Sequence, residues 1–254
     1  MTHFWLALRS EFLKSRRTLA LAVTIWLPVF IAGLFFALFY FKAEDFAKTG
    51  MNPWLLLAQN LFGLYSVLIL PMYAMVVAFS TNQIEHVANA WKNVFTLPYP
   101  RLTIYVAKWA FAFLLIVIFS TLLCGLIFLE GNLLAVLKPE IGFQDYSSYD
   151  LIGRLFLKFF LAILGVFSIQ FLLSFQWRDF IRPVGTGLAL TIAGAILAGW
   201  KYAWIFPYSE TVRINEQFHK DKTALWGPEL WVSLGVTMAL FGVGYVLVLR
   251  RSTR

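Results

Sequence analysis

The chain has 254 residues, 60% of them hydrophobic and only 13% charged, with a formal net charge of +8. A soluble domain carries about a quarter charged residues, so this composition excludes an ordinary soluble fold and leaves one membrane-embedded bundle spanning residues 1–254. The positive surplus flanks apolar runs, as in cytoplasmic loops of membrane proteins, which excludes a nucleic-acid partner.

In chain order, residues 1–18 read as a helix lying in the membrane interface. Met1, Phe4, Trp5, Leu8 and Phe12 fall on one stripe, with Ser10, Lys14 and Arg17 opposite. A frayed basic flank that merely orients the first span is the alternative. The apolar run that follows is long enough to span and lacks a small-residue cleavage site, so it is not a secretory leader. Crossing a bilayer takes about 20 apolar residues, and six segments come near that: about 19–41, 54–80, 103–129, 152–175, 183–200 and 229–249. Pro28 and Pro71 fall inside the first two and are expected to kink them. Trp54, Trp109, Trp177, Trp200, Trp204 and Trp231 lie near the expected ends, as in an aromatic belt. The fifth span carries small-residue pairs, Ala189 with Ala193 and Ala195 with Gly199, that permit close helix packing.

Between the second and third spans, residues 80–101 are polar enough to leave the membrane. Ile84, Ala88, Trp91 and Phe95 recur at helical spacing, Ser80/Gln83 or Asn82/Glu85 offers a capping box, and Pro98 and Pro100 close the stretch. A short helix over about Gln83–Phe95 is expected, either a handle for a soluble partner or an ordinary surface loop. Placing the N-terminus in the cytoplasm gathers Arg9, Lys14, Arg16, Arg17, Lys92, Arg101, Lys108, Arg178, Arg182, Arg250, Arg251 and Arg254 inside, against only Glu11, Glu85 and Asp179. Six spans with both termini cytoplasmic satisfy that bias. Lys108, Arg154 and Lys158 near span ends are expected to snorkel, and Asp145, Asp150, Glu210, Glu216 and His219 are placed outside. With no carboxylate expected inside a span, ion-coupled transport has little to work with.

No phosphate-binding loop and no His-Glu-x-x-His motif occurs, so the chain has no nucleotide site of that kind and no zinc-peptidase signature. His3, His86 and His219 match no metal spacing, and the lone Cys124 forms no internal disulfide. A lipid-acting membrane enzyme and a non-catalytic scaffold or sensor stand as alternatives to a transporter.

Three stretches carry a family resemblance: the start, LRSEFLKSRRTLA; the run EHVANAWKNVFTLPYPRLTIYVAKW, with Glu85, Trp91, Lys92, Leu97, Pro98, Arg101 and Lys108; and the six-span layout with a long outer segment before the last span. In these the chain resembles the integral membrane permeases of the ABC-2 superfamily, and among them the permeases of lantibiotic and bacitracin self-protection transporters. The resemblance implies an all-α, six-span permease of a bacterial inner membrane. It would pair with a second copy or a sibling permease and export an amphiphilic cargo such as a peptide antibiotic. ATP would be bound by a separate ATP-binding subunit and no cofactor by this chain. That subunit would be contacted through Glu11, Lys14, Glu85, His86, Trp91 and Lys92, and residues 201–228 would form short outer or re-entrant helices.

Overall fold

The computed structural model describes residues 2–16, 18–48, 50–87, 100–220 and 225–250. Among them the chain is all helical: α1 (Thr2–Ser15), α2 (Leu19–Phe41), α3 (Ala43–Lys48), α4 (Pro53–Val87), α5 (Arg101–Leu137), α6 (Tyr149–Gln176), α7 (Ile181–Leu197), α8 (Pro207–His219) and α9 (Pro228–Arg250). Helices α2, α4, α5, α6 and α9 are long and apolar enough to cross a membrane, and α7 is a shorter apolar helix. The protein is therefore a multi-pass all-α membrane protein.

One end of the bundle, here the base, holds α1, the C-terminal ends of α4, α6 and α9, and the N-terminal ends of α5 and α7. Arg101 reaches the Leu249 carbonyl there, and Phe79 packs edge-on against Phe180. At the far end Asn52 caps α4 by accepting the Trp54 N–H at 3.0 Å. The Trp54 indole is not part of an outer aromatic belt. It is 1% exposed, donates to the Phe143 carbonyl at 3.0 Å, and occupies the space a side chain at Gly131 would need.

Two helices overrun their apolar stretches. Helix α4 has 35 residues and α5 has 37, each about 50 Å long at 1.5 Å per residue, against a hydrocarbon core of about 30 Å. The capping boxes expected at Ser80 and Asn82 are not used, and Gln83–Val87 continues α4 without a break. The polar residues stay inside because they find partners. Thr81 Oγ1 donates to the Val77 carbonyl at 2.7 Å, and Asn82 Nδ2 donates to Ser174 Oγ of α6 at 2.8 Å. Residues 88–95 of the expected helix lie outside the described residues.

Pro71 acts on α4 through its missing N–H and the steric demand of its ring. Residues Tyr65–Ile69 just before it form a π-helical turn, in which the Leu70 N–H reaches back to the Tyr65 carbonyl. In a regular α-helix that N–H would go to Ser66. The Ser66 carbonyl instead accepts the Thr211 hydroxyl of α8 at 2.7 Å.

Helix α7 ends at Leu197, and α8 takes over beside it after a turn. Pro207 sits against Gly165, near the middle of α6, while Gln217 meets Lys158 closer to the far end. The close approaches on α7 are at Gly187 and Gly194, not at the alanine pairs. A Cβ at Gly194 would collide with the Tyr208 carbonyl, whereas Ala189 and Gly199 face outward. Gln170 holds the Tyr208 hydroxyl at 2.6 Å. Thus α8 packs inside the bundle, against α4, α6 and α7.

Thr211→Val keeps the side-chain shape and strands the Ser66 carbonyl. The expected loss is about 1–3 kcal/mol, read as a lower unfolding temperature in detergent, with Thr211→Ser close to wild type.

Candidate functional site

Helix α1 rests on α5 through half-buried Phe4 and Leu8 and buried Glu11 and Ser15, with the ring of Phe12 edge-on to Phe111. Glu11 is buried on the side of α1 that meets α5, while Trp5 and Phe12 are exposed. An acid faces inward there because two lysines meet it.

Glu11 Oε2 lies 2.7 Å from Lys108 Nζ, and Glu11 Oε1 lies 2.8 Å from Lys14 Nζ. Glu85 repeats the pattern, with Oε2 at 2.7 Å from Lys108 and Oε1 at 3.0 Å from Lys14. Each carboxylate bridges both ammonium groups, closing a neutral ring of four charges. Lys108 also donates to the Thr81 carbonyl at 3.0 Å. The side chains of Glu11, Glu85 and Lys108 are 4%, 2% and 2% exposed, and only Lys14, at 31%, reaches the surface. Lys108 therefore does not snorkel. It is the central cation of a clamp joining α1, α4 and α5. His86 extends the clamp to α6, with Nε2 3.1 Å from the Ser174 carbonyl.

Of the six residues expected to meet an ATP-binding subunit, Glu11, Lys14, Glu85 and His86 come together here. Glu11, Glu85 and His86 are turned inward, so they brace the base rather than form a free surface. Trp91 and Lys92 lie outside the described residues. Sequence reasoning did not assign Lys108 to this group, although it stands in the same quoted run.

Arg154 is exposed near the end of α6, as expected of a snorkelling residue, and pairs with Asp150. Lys158 is buried, 2.7 Å from Gln217 Oε1 and 3.5 Å from Glu229. Glu210 is fully buried in α8, and Glu130 is buried in α5. The bundle thus does contain buried carboxylates. No three His, Cys, Asp or Glu side chains gather as a metal site among the described residues.

The ring supplies no nucleophile with an adjacent base. What it supplies is rigidity, since separating buried opposite charges is costly. Glu85 ties the end of α4 as described to α1 and α5, and Asn82 and His86 tie it to α6.

Lys108→Met leaves two buried carboxylates with one half-exposed lysine. The expected destabilisation is about 3–5 kcal/mol, measured by thermal unfolding in detergent. The pH response follows from α1, which lies outside the spans. Burial pushes the Glu11 carboxyl up, but Lys108 and Lys14 together outweigh it and hold it below its ordinary 4.5. Burial pushes Lys14 down, but Glu11 and Glu85 outweigh it and hold it above its ordinary 10.5. The Glu11 contribution is present above its unfolded value and is lost as pH falls through the lowered one. The Lys14 contribution is present below its unfolded value and is lost as pH rises through the raised one. Spin labels at Ser10 and Leu102 are expected to report one narrow distance from about pH 5 to about pH 10, broadening only outside that window.

A family model described as ABC-2 family transporter protein matches residues 7–194, from α1 to the last turn of α7. No curated protein matches the chain. The match covers most of the sequence and includes every member of the charge ring, and the chain belongs to the ABC-2 family of transporter proteins, as a membrane-spanning permease component.

Proposed function

We propose that this permease is the membrane subunit of an ATP-driven exporter, with nucleotide bound and hydrolysed on a separate ATP-binding subunit. In this reading the base faces the cytoplasm of a bacterial inner membrane, with both chain ends inside. Two permeases, identical or sibling, carry two copies of the ATPase.

The observation that carries the reading is the neutral charge ring, which ties α1 and α5 to the last turns of α4 as described. Glu85 lies two residues before Val87, the last described residue of that helix. A partner that grips the segment 88–99 moves α4 together with α1, α5 and α6. Trp91 and Lys92 then offer the contact surface, while Glu11, Lys14, Glu85 and His86 fix its position.

The cargo is an amphiphile in this proposal, such as a peptide antibiotic removed from the membrane. An apolar groove of about 550 Å³ between α5 and α6, lined by Phe113, Val117, Phe128, Phe156, Leu157 and Phe160, suits a greasy cargo better than a sugar.

The test is co-purification of the tagged permease with the ATP-binding protein encoded beside it. The expected result is a stable complex that hydrolyses ATP. Trp91→Ala with Lys92→Ala should weaken assembly, whereas Glu85→Ala should leave binding partly intact and uncouple hydrolysis from export. If a well-folded preparation captures no ATPase, the exporter reading is wrong.

A further inference from the structure

A second feature of α1 faces away from the charge ring. Trp5, Arg9 and Arg16 follow one another along one side of the helix, and together with Phe12 and Leu13 they border a groove of about 360 Å³ against Leu114 of α5. Both arginines are exposed, and neither forms an ion pair among the described residues. The only acid of α1, Glu11, is committed to Lys108 and Lys14, so nothing on the helix offsets the two guanidinium groups.

The floor of the groove differs in character. Leu114 is 37% exposed, and Ile118, one turn further along the same face of α5, is also 37% exposed. Helix α5 is one of the long apolar spans, so this face runs from the groove into the hydrocarbon. A soluble protein partner would reach the arginines but would leave that apolar track unused. A molecule with an anionic head and a hydrocarbon tail uses both. Guanidinium groups suit phosphate because their fork of N–H donors matches its oxygens. An exposed indole beside them is at home at the headgroup level.

We propose that the groove between α1 and α5 is a binding site for an anionic phospholipid, with Arg9 and Arg16 on its phosphate and an acyl chain over Leu114 and Ile118. The lipid then seats the outer side of α1 while the charge ring seats its inner side. Basic residues near a membrane surface each add roughly fivefold to anionic-lipid affinity, so the pair supplies about tenfold to thirtyfold preference over a zwitterionic lipid.

The experiment is native mass spectrometry of the full chain alone, released from detergent after incubation with equal amounts of phosphatidylglycerol and phosphatidylcholine. Wild type is expected to retain phosphatidylglycerol preferentially. Arg9→Gln with Arg16→Gln should lose at least about tenfold of that preference, and Arg9→Lys with Arg16→Lys should keep most of it. Arg178→Gln with Arg182→Gln, which removes exposed charge elsewhere on the base, should leave it unchanged. Equal retention of the two lipids by wild type overturns the proposal, as does equal loss in both glutamine pairs. A pair at Arg9 and Arg16 that keeps its lipid but no longer binds the ATP-binding subunit assigns the groove to protein and also overturns it. The lipid measurement needs no ATPase, so its failure is distinct from failure of the exporter reading.

Discussion

Charges can be held away from water only when they are matched, and the base of this bundle is built around one such match. Glu11, Lys14, Glu85 and Lys108 come from three helices, and no member can be buried alone without a penalty of several kcal/mol. The ring therefore fixes more than its own atoms. Helix α4 has to run unbroken to Glu85, which carries Ser80, Thr81 and Asn82 into the packed interior. Helix α6 then has to present Ser174 to receive Asn82 and His86. Removing any one of these contacts strands a polar group in a place where water does not replace it.

The same constraint governs the middle of the bundle, where regular helix gives way. Pro71 and the π-helical turn before it leave the Ser66 carbonyl without its usual partner, and α8 supplies Thr211. That is possible because α7 stops at Leu197 and the chain continues as α8 beside α4. Gly194 lets the backbone of α8 approach that of α7, and Gly165 leaves room for the Pro207 ring. The departure from regular helix in α4 is thus compensated by α8, as it must be where the surroundings offer no hydrogen bonds.

Much of this architecture was legible in the sequence, and the exceptions share a cause. Leu19–Phe41 is bounded as expected because basic residues precede its apolar run and Lys42 follows it at once. The last helix ends near Arg250 for the same reason. The overrun of α4 was hidden because Ser80–Asn82 reads locally as an exit from the membrane, and its partners stand about 90 residues away on α6. Lys108 read as a snorkelling residue because one lysine near a span end carries no mark of the glutamates that neutralise it. The burial of Glu210 was hidden because residues 201–228 are polar by composition, and it depends on two glycines in other helices. The residues of the charge ring all stood in the stretches that carried the family resemblance, but their mutual contacts are tertiary. Trp91 and Lys92 fall outside the described residues.

The neutrality of the ring has a consequence for energy coupling. An elementary charge carried across the membrane potential exchanges about 2.3 kcal/mol per 100 mV, comparable to the forces that hold helices together. Two ammonium and two carboxylate groups held within hydrogen-bond distance move with no net charge. When the base tilts as one body, the electric field does almost no work on the clamp. The voltage across the membrane therefore exerts almost no net force on these four groups.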